Sequence, residues 1–170
     1  MIDQIEFSEL KVLVVDDQRF VRDIVGQLLG AMTINRVFQA NSVDAAVEVM
    51  RKQALDMVIC DINMKPVNGL HLLKAVRMGL TDLSRDTNFL FLSGHSDRAV
   101  VERAMALDVD GFIVKPVKPI ELEKRVRAAL ARQQVVRPKD QYSGVSVNYR
   151  ETVNGLVFDD YNPPMGGIRW

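Results

Sequence analysis

Apolar residues follow two alternating patterns along most of the chain. Short continuous apolar runs, rich in Val, Ile and Phe and too brief for helices, are typical of strands buried on both faces. These runs are Lys11–Val15, Met57–Cys60, Asn88–Leu92 and Gly111–Val114, with Arg36–Ala40 as a weaker candidate. Between the runs, apolar residues recur at the spacing of three and four residues that amphipathic helices show.

Five amphipathic helices are predicted, one after each strand. Their apolar stripes are Phe20, Ile24, Val25, Leu28 and Leu29; Val43, Ala46, Val47 and Met50; Leu70, Leu73, Ala75 and Val76; Val100, Val101, Ala104, Met105 and Leu107; and Ile120, Leu122, Val126, Ala129 and Leu130. Ser42 and Asp97 stand where the second and fourth helices need an N-cap, and Pro119 precedes the fifth.

Strands that alternate with helices of this length indicate an α/β fold with a parallel sheet covered on both faces. We therefore predict a doubly wound five-stranded sheet in a flavodoxin-like (βα)5 three-layer sandwich. Right-handed crossovers place the carboxyl ends of all the strands at one edge of such a sheet. Ligands bind at that edge in open α/β folds.

The alternation ends near Gln134, which divides the chain into a predicted domain at 1–134 and an extension at 135–170. Arg137–Asp140 has the composition of a linker. Farther on, an Asn-Gly pair separates two β-prone runs and predicts a hairpin within 149–160.

The predicted hairpin places Val153 opposite Leu156 and Arg150 opposite Asp159. A lone hairpin is only marginally stable in water. The extension is therefore expected to dock on its own domain, to pair with another subunit, or to stay loose until a partner binds.

Composition narrows the class of protein. The chain has 22 Lys and Arg and 22 Asp and Glu, so no overall field attracts nucleic acid or an anionic membrane surface. Cys60 is the single cysteine, which excludes an internal disulfide framework. No apolar run approaches the roughly 20 residues of a membrane span, and Asp3, Glu6 and Glu9 precede the first lysine, which is the wrong sign for a signal peptide. We expect a cytoplasmic protein.

Polar side chains follow four of the predicted strands. Asp16 and Asp17 follow the first, Asp61 the third, Ser93 the fourth and Lys115 the fifth. Clustered carboxylates repel one another, which raises their pKa values, and a hard cation such as Mg²⁺ removes that repulsion. Together with a lysine and a hydroxyl, such a site suits phosphoryl transfer, in which a carboxylate can be the nucleophile.

Each of these residues alone also has a simpler interpretation. Asp16 and Asp17 could cap a helix, Asp61 could begin a turn, and Lys115 could be a solvated charge. Their joint occurrence at strand ends favours the functional interpretation.

A set of short motifs makes the pattern specific. They are VVDD at 14–17, DINM at 61–64, Gly69, SG at 93–94, GFIVKP at 111–116 and EL at 121–122. On these residues, the chain from about Lys11 to Arg132 resembles the receiver domain of bacterial two-component response regulators, of the single-receiver type with a short C-terminal extension.

The resemblance implies a role for each matching position. Asp61 would be the phosphoacceptor. Asp17 would be a direct Mg²⁺ ligand, Asp16 would hold the metal mainly through water, and Asn63 would add its backbone carbonyl. Ser93 and Lys115 would bind the phosphoryl oxygens, and the Lys115–Pro116 bond would be cis. Phe112 would occupy the position of the aromatic residue that moves in the switch.

The resemblance also implies partners. A sensor histidine kinase or a histidine phosphotransfer protein would donate the phosphoryl group, with Mg²⁺ as cofactor. Movement of Ser93 and Phe112 would change the face made by the fourth helix, fifth strand and fifth helix, and so alter contacts with a downstream protein target. A homodimer through that face or through the extension stays open. Neither nucleic acid nor a membrane is expected as a partner, and the protein would catalyse only its own phosphorylation and dephosphorylation.

Two other functions fit some of the same residues. One is a constitutive scaffold or interaction module in which phosphorylation is vestigial. The other is a hydrolase of small phosphorylated substrates, since an acid cluster with Mg²⁺ and Lys also suits phosphatases.

Several positions depart from the family pattern or carry no motif. Lys65 stands where the family commonly has proline, and Pro66 follows it. Phe112 replaces a frequent tyrosine, so an inward switch would lack a hydroxyl hydrogen bond. His95 is interpreted as a loop residue, not a catalytic base, because no nucleophile pairs with it. His71 lies in a predicted helix and is interpreted as a surface or partly buried residue, and two histidines so far apart form no metal signature.

Overall fold

A parallel sheet of five strands, in the order β2-β1-β3-β4-β5, forms the centre of the molecule. The computed structural model describes residues 6–94 and 97–148, and in addition the backbone of 150–153 and 156–159. The strands are β1 (Lys11–Val15), β2 (Arg36–Ala40), β3 (Met57–Asp61), β4 (Asn88–Ser93) and β5 (Gly111–Val114). All the pairings between them are parallel, which confirms the predicted sheet.

A helix follows each strand, as predicted. The helices are α1 (Arg19–Ala31), α2 (Val43–Lys52), α3 (Gly69–Met78), α4 (Arg98–Ala106) and α5 (Pro119–Ala131). Ser42 caps α2 by accepting a hydrogen bond from the amide of Ala45, and Asp97 caps α4 in the same way through Ala99. Each cap satisfies a backbone donor that the first turn of a helix leaves without a partner.

Two apolar cores lie on opposite faces of the sheet. Alternate residues along β1, β3 and β4 enter one core or the other, as the two-residue period of a strand requires. One core receives α1 and α5, and the other receives α2, α3 and α4. This is the three-layer sandwich that the alternating pattern predicted.

In the described part of the chain, none of the helices has the length and apolar character of a membrane span.

Three members of the predicted apolar stripes are exposed to solvent instead of buried. Phe20 is 74% exposed, Met105 59% and Ile120 80%. Their helices are present, but the assignment of these side chains to the buried face was wrong. Spacing alone cannot separate a buried stripe from its margin, because the tertiary packing sets how wide the stripe is.

The interpretation of His71 as a surface or partly buried residue was also wrong. His71 lies in the first turn of α3 and is 2% exposed. Its Nδ1 lies 3.0 Å from Oδ1 of Asn68, the N-cap of the same helix. His95 lies outside the described residues.

Residues 136–148 pack against the helices instead of leaving the domain. They contain a short helix, α6 (Lys139–Ser143), which begins inside the stretch that the composition marked as a linker. Tyr142 of α6 is fully buried in the core beside α3. Of the alternatives for the extension, docking on its own domain therefore holds for these residues.

The predicted hairpin is also present. Strands β6 (Arg150–Val153) and β7 (Leu156–Asp159) pair antiparallel, with Val153 opposite Leu156 and Arg150 opposite Asp159. The division of the chain at residue 134 stays a prediction, and residues 160–170 lie outside the described part.

Candidate functional site

The carboxyl ends of four neighbouring strands bring the candidate side chains together. Asp16 follows β1, Asp61 ends β3, Ser93 ends β4 and Lys115 follows β5. Asp16, Asp17 and Asp61 each present a carboxylate oxygen, and these oxygens all lie within 4.8 Å of one another. The sequence had predicted this cluster from strand ends alone.

Lys115 reaches across the sheet edge to two of the carboxylates. Its Nζ lies 2.8 Å from Oδ2 of Asp16 and 3.4 Å from Oδ1 of Asp61. Burial lowers the pKa of Lys115, but the hydrogen bond with Asp16 and the charge of Asp61 outweigh it, so the pKa is raised above its usual value. Lys115 therefore carries a positive charge at the centre of the site.

The pKa of Asp61 is raised to about 6. Burial is the largest cause, the charge of Lys115 acts in the opposite direction, and the charge of Asp16 raises the pKa further. The pKa of the exposed Asp17 is raised as well, by partial burial and then by Asp16. The expected upward shift is present, but desolvation contributes more to it than repulsion between carboxylates does.

Asp16 is held in place by its own loop and by α1. Its Oδ1 accepts a hydrogen bond of 2.8 Å from the amide of Gln18. The guanidinium of Arg22 donates a 2.7 Å hydrogen bond to the Asp16 carbonyl. Asp16 is fully buried, so its carboxylate is fixed in direction before any ligand binds.

The loop from β3 to α3 folds back on Asp61. The amide of Asn63 donates to Oδ1 of Asp61 at 3.3 Å, and the amide of Gly69 donates to the carbonyl of Ile62 at 2.9 Å. A Cβ atom on Gly69 would collide with the Asp61 carbonyl and lie 2.9 Å from the Phe91 ring. Glycine is required at this position because the helix start approaches the strand end so closely.

Ser93 ends β4, and Phe112 lies on the neighbouring strand β5. Ser93 is 7% exposed, and its carbonyl accepts a 2.8 Å hydrogen bond from the amide of Lys115. The ring of Phe112 is half-buried, with its centroid 6.2 Å from that of Phe91. The Lys115–Pro116 bond is cis, as expected, and Lys65–Pro66 is cis as well.

The donor set fits a hard divalent cation. Asp16, Asp17 and Asp61 offer three carboxylate groups around one point, and such oxygen ligands suit Mg²⁺. A cation there would offset the burial of Asp61, which otherwise disfavours its charged form. The individual ligand roles of these residues and of the Asn63 carbonyl remain predictions.

Two residues near the site were missed by the sequence analysis. Arg22 lies between the apolar positions of the first helix, and no pattern in the sequence indicates its contact with Asp16. Asn68 stands directly before the third helix, and an Asn at that position is an N-cap signal in the sequence. Its second contact, with Val147 in the extension, has no sequence signal.

An open parallel α/β sheet that gathers carboxylates, a lysine and a hydroxyl at its carboxyl edge is the arrangement expected of the receiver class of signalling domains. The family model described as the response regulator receiver domain matches residues 12–127. The chain therefore belongs to the receiver domain family of two-component signalling.

Relatives with known names agree with this membership. A probable chemotaxis protein CheY of Rhizobium etli is 28% identical over 121 residues, which are 71% of this chain and 92% of that protein. The transcriptional regulatory protein YvrH of Bacillus subtilis is 27% identical over 71% of this chain, and the chain spans about half (49%) of its length.

A solved structure of the chemotaxis protein CheY4 of Vibrio cholerae superimposes with a TM-score of 0.64 at 29% identity. The alignment covers 71% of this chain and 98% of CheY4. The common part is thus the receiver fold, and the C-terminal extension adds to it.

Proposed function

We propose that this protein is a phosphorelay receiver that accepts a phosphoryl group on Asp61. The observation that carries the proposal is the cluster of three carboxylates with Lys115 Nζ 2.8 Å from Asp16 and 3.4 Å from Asp61. A constitutive scaffold would need neither the acid cluster nor the half-buried lysine, and membership of the receiver family favours a receiver over a hydrolase of small phosphoesters.

The donor in this proposal is a phosphohistidine on a sensor kinase or a phosphotransfer protein. One oxygen of Asp61 forms a P–O bond while the P–N bond to the donor imidazole breaks. The imidazole keeps the electron pair of the broken bond and takes up a proton from solvent, which leaves an aspartyl phosphate and a neutral histidine. Asp61 must be ionised to react, and a pKa of about 6 leaves it mostly ionised at neutral pH.

In this proposal, the other residues of the site hold the phosphoryl group in position and neutralise the charge on its oxygens. Asp16, Asp17, Asp61 and the Asn63 carbonyl would hold Mg²⁺, which when bound neutralises charge on the phosphoryl oxygens. Lys115 would neutralise a further oxygen, and the Ser93 hydroxyl would donate a hydrogen bond to another.

We further propose that α4, β5 and α5 form the surface that changes its contacts on phosphorylation. Each element exposes one large apolar side chain: Met105 on α4 is 59% exposed, Val114 on β5 62% and Ile120 on α5 80%. In this proposal these three exposed apolar side chains are the contacts for the partner protein. Phe112 links this surface to the interior through its contact with Phe91.

Binding of beryllofluoride with Mg²⁺, an analogue of the phosphoryl group, tests the proposed site. Fluorine NMR of the full chain should show a bound beryllofluoride signal that needs Mg²⁺ and disappears in Asp61→Asn. Arg98→Met is the matched control, because Arg98 is an exposed residue of α4 paired with Glu102. No bound signal in the wild-type protein, or an equal signal in Asp61→Asn, would refute the proposal.

A further inference from the structure

Residues 136–148, which we call the strap, lie across α3 and the end of α4 and reach the loop that follows Asp61. Their first half is anchored at Asp108, in the turn after α4. Nε of Arg137 and the hydroxyl of Tyr142 both donate to Oδ2 of Asp108, at 2.8 and 2.7 Å. The amide of Arg137 in turn donates to the Tyr142 hydroxyl at 3.0 Å. Together with the burial of Tyr142, these bonds fix the strap firmly at this end.

The second half of the strap is held differently, through its backbone carbonyls. Nζ of Lys74 on α3 donates to the carbonyls of Ser143 and Val145, each at 2.9 Å. Nη1 of Arg103 on α4 donates to the carbonyl of Asn148 at 2.7 Å. The strap therefore joins α3 to α4 through a few side-chain bonds.

This half of the strap packs Val145 and Val147 against the core but leaves an open cavity beside α3. A cavity of about 430 Å³ lies between it and His71, Lys74 and Met78. A segment held by a few polar bonds over a cavity can open at a small cost in free energy compared with the core strands. The bonds from Lys74 and Arg103 therefore restrain its position together with the packing of Val145 and Val147.

Asn68 connects the strap to the site. Its Nδ2 donates a 2.8 Å hydrogen bond to the carbonyl of Val147, and its Oδ1 accepts from the amide of His71 at 3.2 Å. One carboxamide therefore caps α3 and binds the strap at the same time. The next residue, Gly69, is the one that lies directly against the Asp61 carbonyl.

We infer that the strap is a positioning element for the Asp61 site, acting through Asn68, and that strap docking and ligand binding at Asp61 favour each other. A loop already held by the strap loses less conformational freedom when Mg²⁺ and a phosphoryl group bind, which gives positive coupling. Such coupling is reciprocal, so the occupied site must also hold the strap more tightly. This inference rests on the proposed phosphorylation of Asp61.

Arg103→Met tests the inference, because Arg103 contacts the strap but lies on α4, whereas the loop that follows Asp61 leads into α3. We expect the affinity of the full chain for Mg²⁺-beryllofluoride to fall about fivefold or more. Arg98→Met on the same helix is the control and should leave the affinity unchanged. Lys74→Met removes a second anchor and should act in the same direction as Arg103→Met.

Asn68→Ser tests the connecting residue. Serine retains an oxygen for the helix cap but lacks the carboxamide N–H that reaches Val147. It should weaken Mg²⁺-beryllofluoride binding, and the double variant with Arg103→Met should be little weaker than either single variant, since both act through the strap. If the double variant loses as much binding free energy as the two single variants together, Asn68 and Arg103 do not both act through the strap.

Hydrogen exchange supplies the reciprocal measurement. The amides of Arg137 and Val145 are bonded within the strap, to the Tyr142 hydroxyl and the Tyr142 carbonyl. The exchange of the Val145 amide should slow when Mg²⁺-beryllofluoride binds to the wild-type chain, and the Arg137 amide, in the firmly held half, serves as the reference. If the wild type binds the probe but the Val145 exchange and the Arg103→Met affinity do not change, this inference is wrong while the proposed function stands. If the wild type does not bind the probe, the proposed function itself fails.

Discussion

Asp61 is a carboxyl group whose environment disfavours its charge. Its side chain is 7% exposed, and burial raises its pKa from 3.8 to about 6. In the unfolded chain the group ionises near 3.8, so the unfolded state releases its proton first as the pH rises. The free energy of unfolding therefore falls between about pH 4 and pH 6, by on the order of 3 kcal/mol in total.

Asp61→Asn should consequently stabilise the protein in the absence of divalent metal. The amide keeps the shape of the side chain without its charge, so we expect a gain of roughly 1–3 kcal/mol at pH 8 in EDTA. The gain should shrink toward pH 4, where the wild-type carboxyl is protonated. Urea denaturation at both pH values measures this, and a loss of stability at pH 8 would show that burial is not the dominant effect on Asp61.

Gly69 is the residue that permits the close approach of α3 to β3. Gly69→Ala would place a methyl group against the Asp61 carbonyl and the Phe91 ring, and overpacking of this kind costs about 1–3 kcal/mol. Gly30→Ala is the matched control, since nothing lies within 4 Å of its Cβ position in α1. There alanine should be neutral or stabilising by up to about 1 kcal/mol. Thermal denaturation compares the two, and equal stability of both variants would contradict the close approach.

At the scale of elements, the buried Arg77 joins α3 to its neighbours. Its side chain is fully buried and donates hydrogen bonds to the carbonyls of Leu107, Thr87 and Asp108 at 3.2, 2.9 and 2.9 Å. Asp110 lies 3.5 Å from its Nη2. One guanidinium thus ties α3 to the start of β4 and to the turn between α4 and β5.

Arg77→Lys should therefore destabilise the protein strongly even though it keeps the charge. An ammonium cannot reproduce the planar set of donors, and leaving a buried charge poorly compensated costs about 3–5 kcal/mol. Arg98→Lys, at an exposed position on α4, should change stability by less than about 0.5 kcal/mol. Chemical denaturation of the two variants provides the comparison, and a small effect of Arg77→Lys would mean that its bonds contribute little.

The elements that the sequence analysis predicted well are those whose pattern is local. The strands and the helices that alternate with them follow from apolar runs and helical spacing, and the Asn154-Gly155 pair predicted the register of the hairpin. Phe20, Met105 and Ile120 were placed wrongly because burial at the edge of a stripe depends on distant neighbours. The role of Arg77 was not predicted, because its partners are backbone carbonyls, which carry no signature in the sequence.

At the scale of the whole molecule, fold topology explains why the site could be predicted and the strap could not. Parallel strands deliver Asp16, Asp61, Ser93 and Lys115 to one edge, so their positions along the sequence were sufficient. The second half of the strap binds through carbonyl oxygens, which every residue has, and the composition of Arg137–Asp140 in its first half indicated only a linker. Only the structure connects residues 136–148 to Asn68.

The covalent state of Asp61 is the central claim, and trapping it is the most direct test. The full chain is incubated with Mg²⁺ and a small-molecule phosphodonor, then treated with borohydride, which reduces an aspartyl phosphate to homoserine. Peptide mass mapping should find homoserine at position 61, with none formed in Asp61→Asn or when Mg²⁺ is removed with EDTA. Homoserine at another position, or no modification under conditions in which the protein is folded, would contradict the account.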